Sequence, residues 1–125
     1  MELSGIVRNE LLLNGINFIE EFGAFQMTMT SGQRCWRCII FTVENELVCC
    51  SQFPWKTSAA ALSVLGQLNS EVCLGCFLLK DSRVLYRCGA VVSDPLEVGE
   101  TLISLLRLNG NTVCRFWERV KSCGG

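Results

Sequence analysis

The chain has 125 residues, of which half are hydrophobic and 18% are charged, and its formal net charge is −1. This length suits a single domain over residues 1–125, and the charge balance excludes the basic footprint of a nucleic-acid-binding protein. Neither a signal-peptide pattern nor an apolar run of roughly 18 residues is present, so we expect a soluble, cytoplasmic protein without membrane contact.

The first half of the chain predicts one helix and three strands. Apolar residues recur at helical spacing from Leu3 to Leu11, and apolar and polar residues alternate from Phe25 onward. Pro54 lacks the N–H that a sheet ladder needs, so we expect the chain to leave the sheet there. The predicted elements are a helix over 2–14, an extended segment over 17–22, a turn at 31–33, and strands over 25–30, 35–43 and 47–53.

The next segment predicts a helix followed by a β-hairpin. Thr57 or Ser58 can cap the helix, because a side-chain oxygen there can accept a backbone hydrogen bond from the first turn. Leucines at helical spacing supply its apolar face. The predicted elements are a helix over 61–68 that ends at 69–70, and strands over 76–79 and 84–92 joined by a turn at 80–83.

The last predicted helix has the clearest start. Asp94 is a good N-cap, Pro95 suits the first helical position, and Glu97 completes the spacing of a capping box. Apolar residues spaced by three and four then run from Leu96 to Val120, which predicts a long amphipathic helix.

The order of the predicted elements gives the fold class. Strand groups separated by helices, in the order α-β-β-β-α-β-β-α, favour an antiparallel sheet that carries helices, the α+β class. Gly110 lies inside the last helix and costs about 1 kcal/mol relative to alanine, so it marks a kink or a close packing contact.

Two segments of the chain resemble the YbjN-like family of bacterial proteins. They are "ELVCCSQFPWK" at 46–56 and "LGQLNSEVCLGCFLLKDSRVLYRCGAVVS" at 65–93. The resemblance covers roughly residues 17–120. Its motifs are an aromatic-Pro pair, a Leu-Asn pair, a glycine before an aromatic strand start, an acidic turn and a V-Y-R strand, here Phe53-Pro54, Leu68-Asn69, Gly75 with Phe77, Asp81, and Val84 to Arg87.

The resemblance implies a fold similar to type III secretion chaperones. Such chaperones usually form dimers and bind unfolded segments of partner proteins, and the YbjN-like family is often labelled a sensory-transduction regulator. The resemblance brings neither catalytic residues nor a cofactor. It does not include the CxxC pairs of this chain.

The cysteines form the most conspicuous motif. Nine are present with no histidine, and two CxxC pairs, Cys35/Cys38 and Cys73/Cys76, could together supply the four thiolates of a zinc site. In an extended strand, however, residues three apart face opposite sides, which disfavours the first pair; Gly75 lets the second pair turn. We therefore favour free, packed thiols, with a metal- or redox-responsive regulator as the alternative.

The aromatic segment around Pro54 has two interpretations. It either anchors the second helix on the sheet or belongs to a partner-binding patch, since aromatic side chains dominate binding hot spots. The candidate partner-binding residues are Trp36, Phe53, Trp55 and Phe77.

The sequence as a whole favours a non-enzymatic module that acts through protein–protein contact. We expect an apolar sheet or helix face to bind first a second copy of the chain, as a homodimer, and then an unidentified protein or peptide partner. Without histidine or a glycine-rich phosphate loop, nothing in the sequence points to an enzyme.

Overall fold

The structure is a computed structural model that describes residues 1–123. It has the α+β architecture expected from the sequence, with a six-stranded antiparallel sheet and three α-helices. Within the described residues, no helix is long and apolar enough to cross a membrane. The elements are α1 (Leu3–Leu13), β1 (Ile19–Glu21), β2 (Ala24–Ser31), β3 (Arg34–Val43), β4 (Glu46–Lys56), α2 (Ala61–Glu71), β5 (Cys76–Lys80), β6 (Arg83–Val91), a 3₁₀ turn (Pro95–Glu97) and α3 (Val98–Lys121).

The strands lie in the order β1-β2-β3-β4-β6-β5. The first four follow one another along the chain, and α2 then carries the chain to the far edge, where β5 begins. The β5–β6 hairpin returns so that β6 pairs with β4 in the middle of the sheet. Short β1 and β5 therefore form the two edges.

All three α-helices pack on one face of the sheet. On α3, the Trp117 ring lies 5.8 Å from that of Trp36, and the Phe116 ring lies 5.3 Å from that of Phe77. The side chain of Asn69 ties α2 to β5, accepting from the N–H of Phe77 and donating to its carbonyl. The buried strand residues on this inner face are Phe25, Met27, Trp36, Cys38, Ile40, Leu47, Cys49, Ser51, Phe53, Phe77, Val84, Tyr86 and Cys88.

A small polar network lies inside this apolar layer. Asn109 of α3 is 1% exposed, and its amide nitrogen donates to the carbonyls of Cys49 at 3.1 Å and Tyr86 at 3.3 Å. The hydroxyl of Ser51 donates to the amide oxygen of Asn109 and accepts from the indole N–H of Trp36 at 3.0 Å. Each buried polar side chain in this network is thus satisfied, which removes the penalty of placing it in the core.

The prediction that the chain leaves the sheet at Pro54 is wrong, because β4 continues to Lys56. Its pairing with β6 is interrupted after Gln52 and resumes only where Lys56 pairs with Arg83. Pairing with β3 also stops at Gln52. Pro54 therefore lies in an irregular stretch where its missing N–H removes no ladder bond.

The cap predicted for α2 is also wrong. The helix begins at Ala61, and no side chain caps it. Thr57 instead extends the line of β4, donating its backbone N–H to the carbonyl of Ser82 at 2.7 Å, and Ser58 contributes its carbonyl to Ala61 at 3.0 Å. The backbone pairing of Thr57 outweighs its capping preference.

Asp94 caps a helix as predicted, but the helix is the short 3₁₀ turn that precedes α3. Its carboxylate accepts from the N–H of Leu96 at 3.0 Å, and Leu96 is 91% exposed rather than part of the apolar stripe. The long helix α3 starts at Val98 and continues without a break through Gly110. An added Cβ at Gly110 would lie 3.8 Å from Met29 and Trp36, so this glycine marks a packing contact.

Candidate partner-binding face

The other face of the sheet, here called the open face, has no helix over it in the part of the chain that the structure describes. It carries the alternate residues of β2 to β6, whose cross-strand rows follow from the register. Most of its apolar members are partly exposed, and Val48 is only 6% exposed, whereas Val43 is 52% and Val91 66% exposed. These apolar residues are Ile39, Phe41, Val43, Val48, Cys50, Cys76, Leu78, Leu85 and Val91.

Cys50 belongs to the apolar surface in chemical as well as spatial terms. It lies between Ile39 and Arg87 in one cross-strand row. Burial raises the pKa of the Cys50 thiol to about 11, so the group stays neutral near pH 7. It behaves there as a small hydrophobic side chain.

The open face has a positive net charge, whereas the net charge of the whole chain is negative. On β2 to β6 this face carries one carboxylate, that of Glu46, although the chain as a whole has a net charge of −1. A face on which cations outnumber carboxylates attracts acidic ligands and repels basic ones. Its cations are Arg37, Lys80, Arg83 and Arg87.

A notch interrupts the sheet edge beside the open face. The edge strand β5 pairs with β6 only as far as Arg87, so the remaining residues of β6 have β4 as their one neighbour strand. The N–H of Val92 donates to the carbonyl of Asn45 at 2.8 Å, which makes this a hydrogen-bonded pair of the β4–β6 ladder. Because backbone groups of successive residues point to opposite sides of a strand, the N–H and C=O groups of Gly89 and Val91 point away from β4. These groups point into the notch, where an extended chain could pair with them.

The notch opens into a groove of about 470 Å³ that reaches onto the open face. Phe41 and Val48 form part of its floor, and Gly75 closes one end. Gly75 has φ +74°, and an added Cβ would lie 2.6 Å from the carbonyl oxygen of Arg87, so only glycine fits. The hydroxyl of Tyr86 fixes the same loop by donating to the carbonyl of Leu74 at 2.7 Å.

Comparisons with known proteins identify this architecture. No family model matches the sequence, and no curated protein sequence matches it. Among solved structures, YbjN from E. coli, a proposed transcription regulator, is similar over 87% of this chain and 84% of its own, with 12% identity and a TM-score of 0.63. This chain has the YbjN fold. The expectation drawn from its sequence motifs is confirmed at the level of the fold.

A second solved structure connects this fold to the type III secretion chaperones. The Yersinia pestis chaperone SycH, solved in complex with a stable fragment of YscM2, matches 88% of this chain and 98% of its own. The identity is 16% and the TM-score 0.50. The predicted chaperone-like fold is thus also confirmed.

The structure places the aromatic candidates mainly in the core of the YbjN fold. Trp36, Phe53 and Phe77 are at most 4% exposed, so they do not form a surface patch. Trp55 is half-buried, and its ring lies 4.7 Å from that of Trp117. The aromatic segment therefore packs in the core, but it anchors α3 on the sheet and not the second helix that the packing interpretation named.

The two CxxC pairs do not come together. Cys35 is exposed and Cys38 buried on opposite faces of β3, as the strand geometry predicts. Cys73 and Cys76 lie at the start of β5, which β4 and β6 separate from β3. Among residues 1–123, no group of three or more potential ligands is arranged to hold a metal ion. The metal-responsive alternative has no site in this geometry.

Several residues that define the open face were not singled out from the sequence. The alternation of Arg83, Leu85 and Arg87 with buried residues of β6 was a usable signal for a second, solvent-facing side. Asn109 also carried a signal, because a polar residue among apolar ones at helical spacing indicates a buried hydrogen-bonding role. The notch had none, since it depends on where β5 begins relative to β6.

Proposed function

We propose that this protein is a non-enzymatic module that binds an extended segment of a partner polypeptide on the open face of its sheet. The observation that carries the proposal is the row of partly exposed apolar side chains on central strands that no described helix covers. Apolar surface on central strands is normally buried, and covering it is favourable by roughly 25 cal/mol per Å².

The charges on this face indicate what kind of segment would bind. Arg37, Arg87 and Lys80 surround the apolar rows and would pair with carboxylates at the rim of an interface. A segment that alternates apolar and acidic residues presents one apolar side and one charged side when extended. The unpaired backbone of Gly89 and Val91 in the notch would anchor its main chain.

The structural neighbours agree with a role in protein binding. The fold neighbour SycH was solved with a bound protein fragment, that of YscM2, and YbjN is described as a proposed regulator. Because this chain lacks a basic surplus, we propose that any regulatory action operates through protein contact in the bacterial cytoplasm. A homodimer is a further proposal, which light scattering on a size-exclusion column tests.

Photocrosslinking in a bacterial host tests the binding face. A benzoylphenylalanine residue at Val91 on the open face should capture a discrete polypeptide, and the same residue at Leu62 on α2 should not. Both positions are exposed, at 66% and 57%, so accessibility is matched. Equal capture from both positions, or from neither, would contradict a partner-binding open face.

A pair of synthetic peptides tests the proposed chemistry of the partner. A twelve-residue peptide that alternates valine and glutamate should bind more tightly than its twin with lysine in place of glutamate, as measured by fluorescence anisotropy. Arg87→Glu should weaken binding of the acidic peptide, and raising the salt concentration should reduce the difference between the peptides. A preference for the lysine peptide would contradict the assignment.

A further inference from the structure

Three buried thiols lie side by side under α3, on the side of the sheet opposite to the open face. One of them, Cys38, also belongs to the first CxxC pair. Cys38, Cys49 and Cys88 occupy the neighbouring strands β3, β4 and β6, and all are at most 4% exposed. All nine cysteines of the chain are free. Buried cysteines in isolation are ordinary core residues, so the geometry of this group decides whether it has a chemistry.

Cys49 and Cys88 are direct cross-strand partners. In an antiparallel ladder every second pair is hydrogen-bonded, and the N–H of Val92 bonds to the carbonyl of Asn45. Cys88 and Cys49 lie four residues further along each strand, so they also form a hydrogen-bonded pair, whose Cα atoms lie about 5.5 Å apart. That separation lies within the range of roughly 4.4–6.8 Å found in disulfides. The two side chains point to the same face, so the Cα spacing and the side-chain direction both permit a bond.

Cys38 is not placed for the same bond, although its sulfur lies 3.5 Å from that of Cys49. Cys38 pairs with Ser51, and Cys49 pairs with Ile40, so the two cysteines are diagonal neighbours. Diagonal Cα atoms lie about 7–8 Å apart, beyond the usual disulfide range. The backbone therefore selects Cys88 as the partner of Cys49.

Of the three cysteines, Cys88 is the one that borders surface grooves, with 4% of its surface exposed. It lines the groove described above and a second groove of about 410 Å³ between β6 and α3. The amide nitrogen of Asn109 lies 3.5 Å from its sulfur and can donate to it. The Cys49 thiol lowers the pKa of both neighbours, that of Cys88 to about 7, whereas its own pKa is raised. Of the two thiols with a lowered pKa, Cys88 is the one that borders the grooves and pairs directly with Cys49.

We propose that Cys49 and Cys88 form a reversible dithiol switch whose oxidant is a low-molecular-weight disulfide. The Cys88 thiolate attacks one sulfur of the reagent, forms a mixed disulfide and releases one thiolate. Cys49 then attacks the sulfur of Cys88, loses its proton to solvent and releases the second thiol. Two protein thiols are oxidised, one reagent disulfide is reduced to two thiols, and two electrons pass between them.

The spacing also predicts that the bond is easily reduced. Cβ atoms of cross-strand pairs lie about 4.5–5.5 Å apart, with hydrogen-bonded pairs at the wider end, whereas disulfides prefer about 3.8 Å. A bond closed across that gap is strained, and strained disulfides are the readily reduced ones. The switch would therefore return to the dithiol under mild reduction.

Tryptic mapping after oxidation tests the proposal on the native protein. Cleavage after Arg37, Lys56, Arg87 and Arg107 places Cys38, Cys49 and Cys50 in one peptide, 38–56, and Cys88 in another, 88–107. Treatment of the folded protein with hydroxyethyl disulfide, followed by alkylation, should link these two peptides, and dithiothreitol should separate them. Exposed Cys35 and Cys73 should acquire reagent adducts and show that the oxidant is active.

Variants identify the residues in the bond. Cys50→Ser should leave the linkage intact, Cys49→Ala should leave a stable reagent adduct on Cys88, and Cys88→Ala should leave peptide 38–56 without an adduct at Cys49. If Cys35 and Cys73 react fully while peptides 38–56 and 88–107 stay unlinked, the proposal is wrong. Loss of two hydrogens within peptide 38–56 would also overturn it, because that result places the disulfide among Cys38, Cys49 and Cys50.

Discussion

Replacing Asn109 with alanine should destabilise the fold by about 3 kcal/mol. The change leaves the buried hydroxyl of Ser51 without an acceptor, which costs about 1–3 kcal/mol, and it removes two further hydrogen bonds of about 1 kcal/mol each. The better helix propensity of alanine returns roughly half a kcal/mol. With a urea m-value of about 1–3 kcal/mol/M, the unfolding midpoint should fall by about 1–3 M.

Urea titrations followed by tryptophan fluorescence measure this effect, and the same helix supplies a matched control. Asn111 is exposed two residues further on, so Asn111→Ala should change stability by less than about 0.5 kcal/mol or raise it slightly. Ser51→Ala combined with Asn109→Ala should cost less than the sum of the single changes, because the two side chains share one bond. An Asn109→Ala variant as stable as Asn111→Ala would refute a structural role for the network.

Three further predictions concern glycines and an ion pair. Gly110→Ala should raise the free energy of unfolding by about 0.5–1 kcal/mol, because an added Cβ would lie 3.8 Å from its nearest neighbours, which is an ordinary contact distance. A lower unfolding temperature or a lower urea midpoint for this variant would show that the helix is more crowded there. Gly75→Ala should cost about 2 kcal/mol or more through its positive φ and its contact with the Arg87 carbonyl, and Gly66→Ala, which meets nothing within 4 Å, is the control. The hydrogen bond from Arg119 holds the pKa of Glu71 below its usual 4.5, so the ion pair stabilises the fold above pH 4.5 and this contribution is lost as the pH falls through the lowered pKa. The difference in stability between the wild type and Glu71→Gln should therefore shrink at acidic pH, and a difference that grows would contradict the assignment.

Much of the fold could be predicted because local signals and packing agree. Helix α1, the turn at 31–33 and the β5–β6 hairpin each combine a periodic apolar pattern with turn residues. Strand β1 was foreseen only as an extended segment, because its three residues are exposed and show no alternation of burial. At Pro54 and Thr57, tertiary pairing with β6 decided the structure against the local preference.

The candidate face was harder to predict than the fold. Residue type favoured Trp36, Phe53 and Phe77 as binding residues, yet large aromatic side chains serve equally well in a core, and α3 covers them. Alternation along β3 does group Trp36 with Cys38, but it cannot tell which side of a sheet the helices will cover. That choice depends on how all three helices connect to the sheet.

The cations of the open face have a consequence for the behaviour of the protein in concentrated solution. An apolar sheet face and an unpaired edge in the notch would ordinarily promote sheet-to-sheet aggregation. Lys80, Arg83 and Arg87 lie beside both, so two copies that approach with these faces together repel each other at low ionic strength. The colloidal stability of the protein should therefore decrease as salt is added, and an acidic segment bound on the face would neutralise the charges and cover the apolar surface in one step.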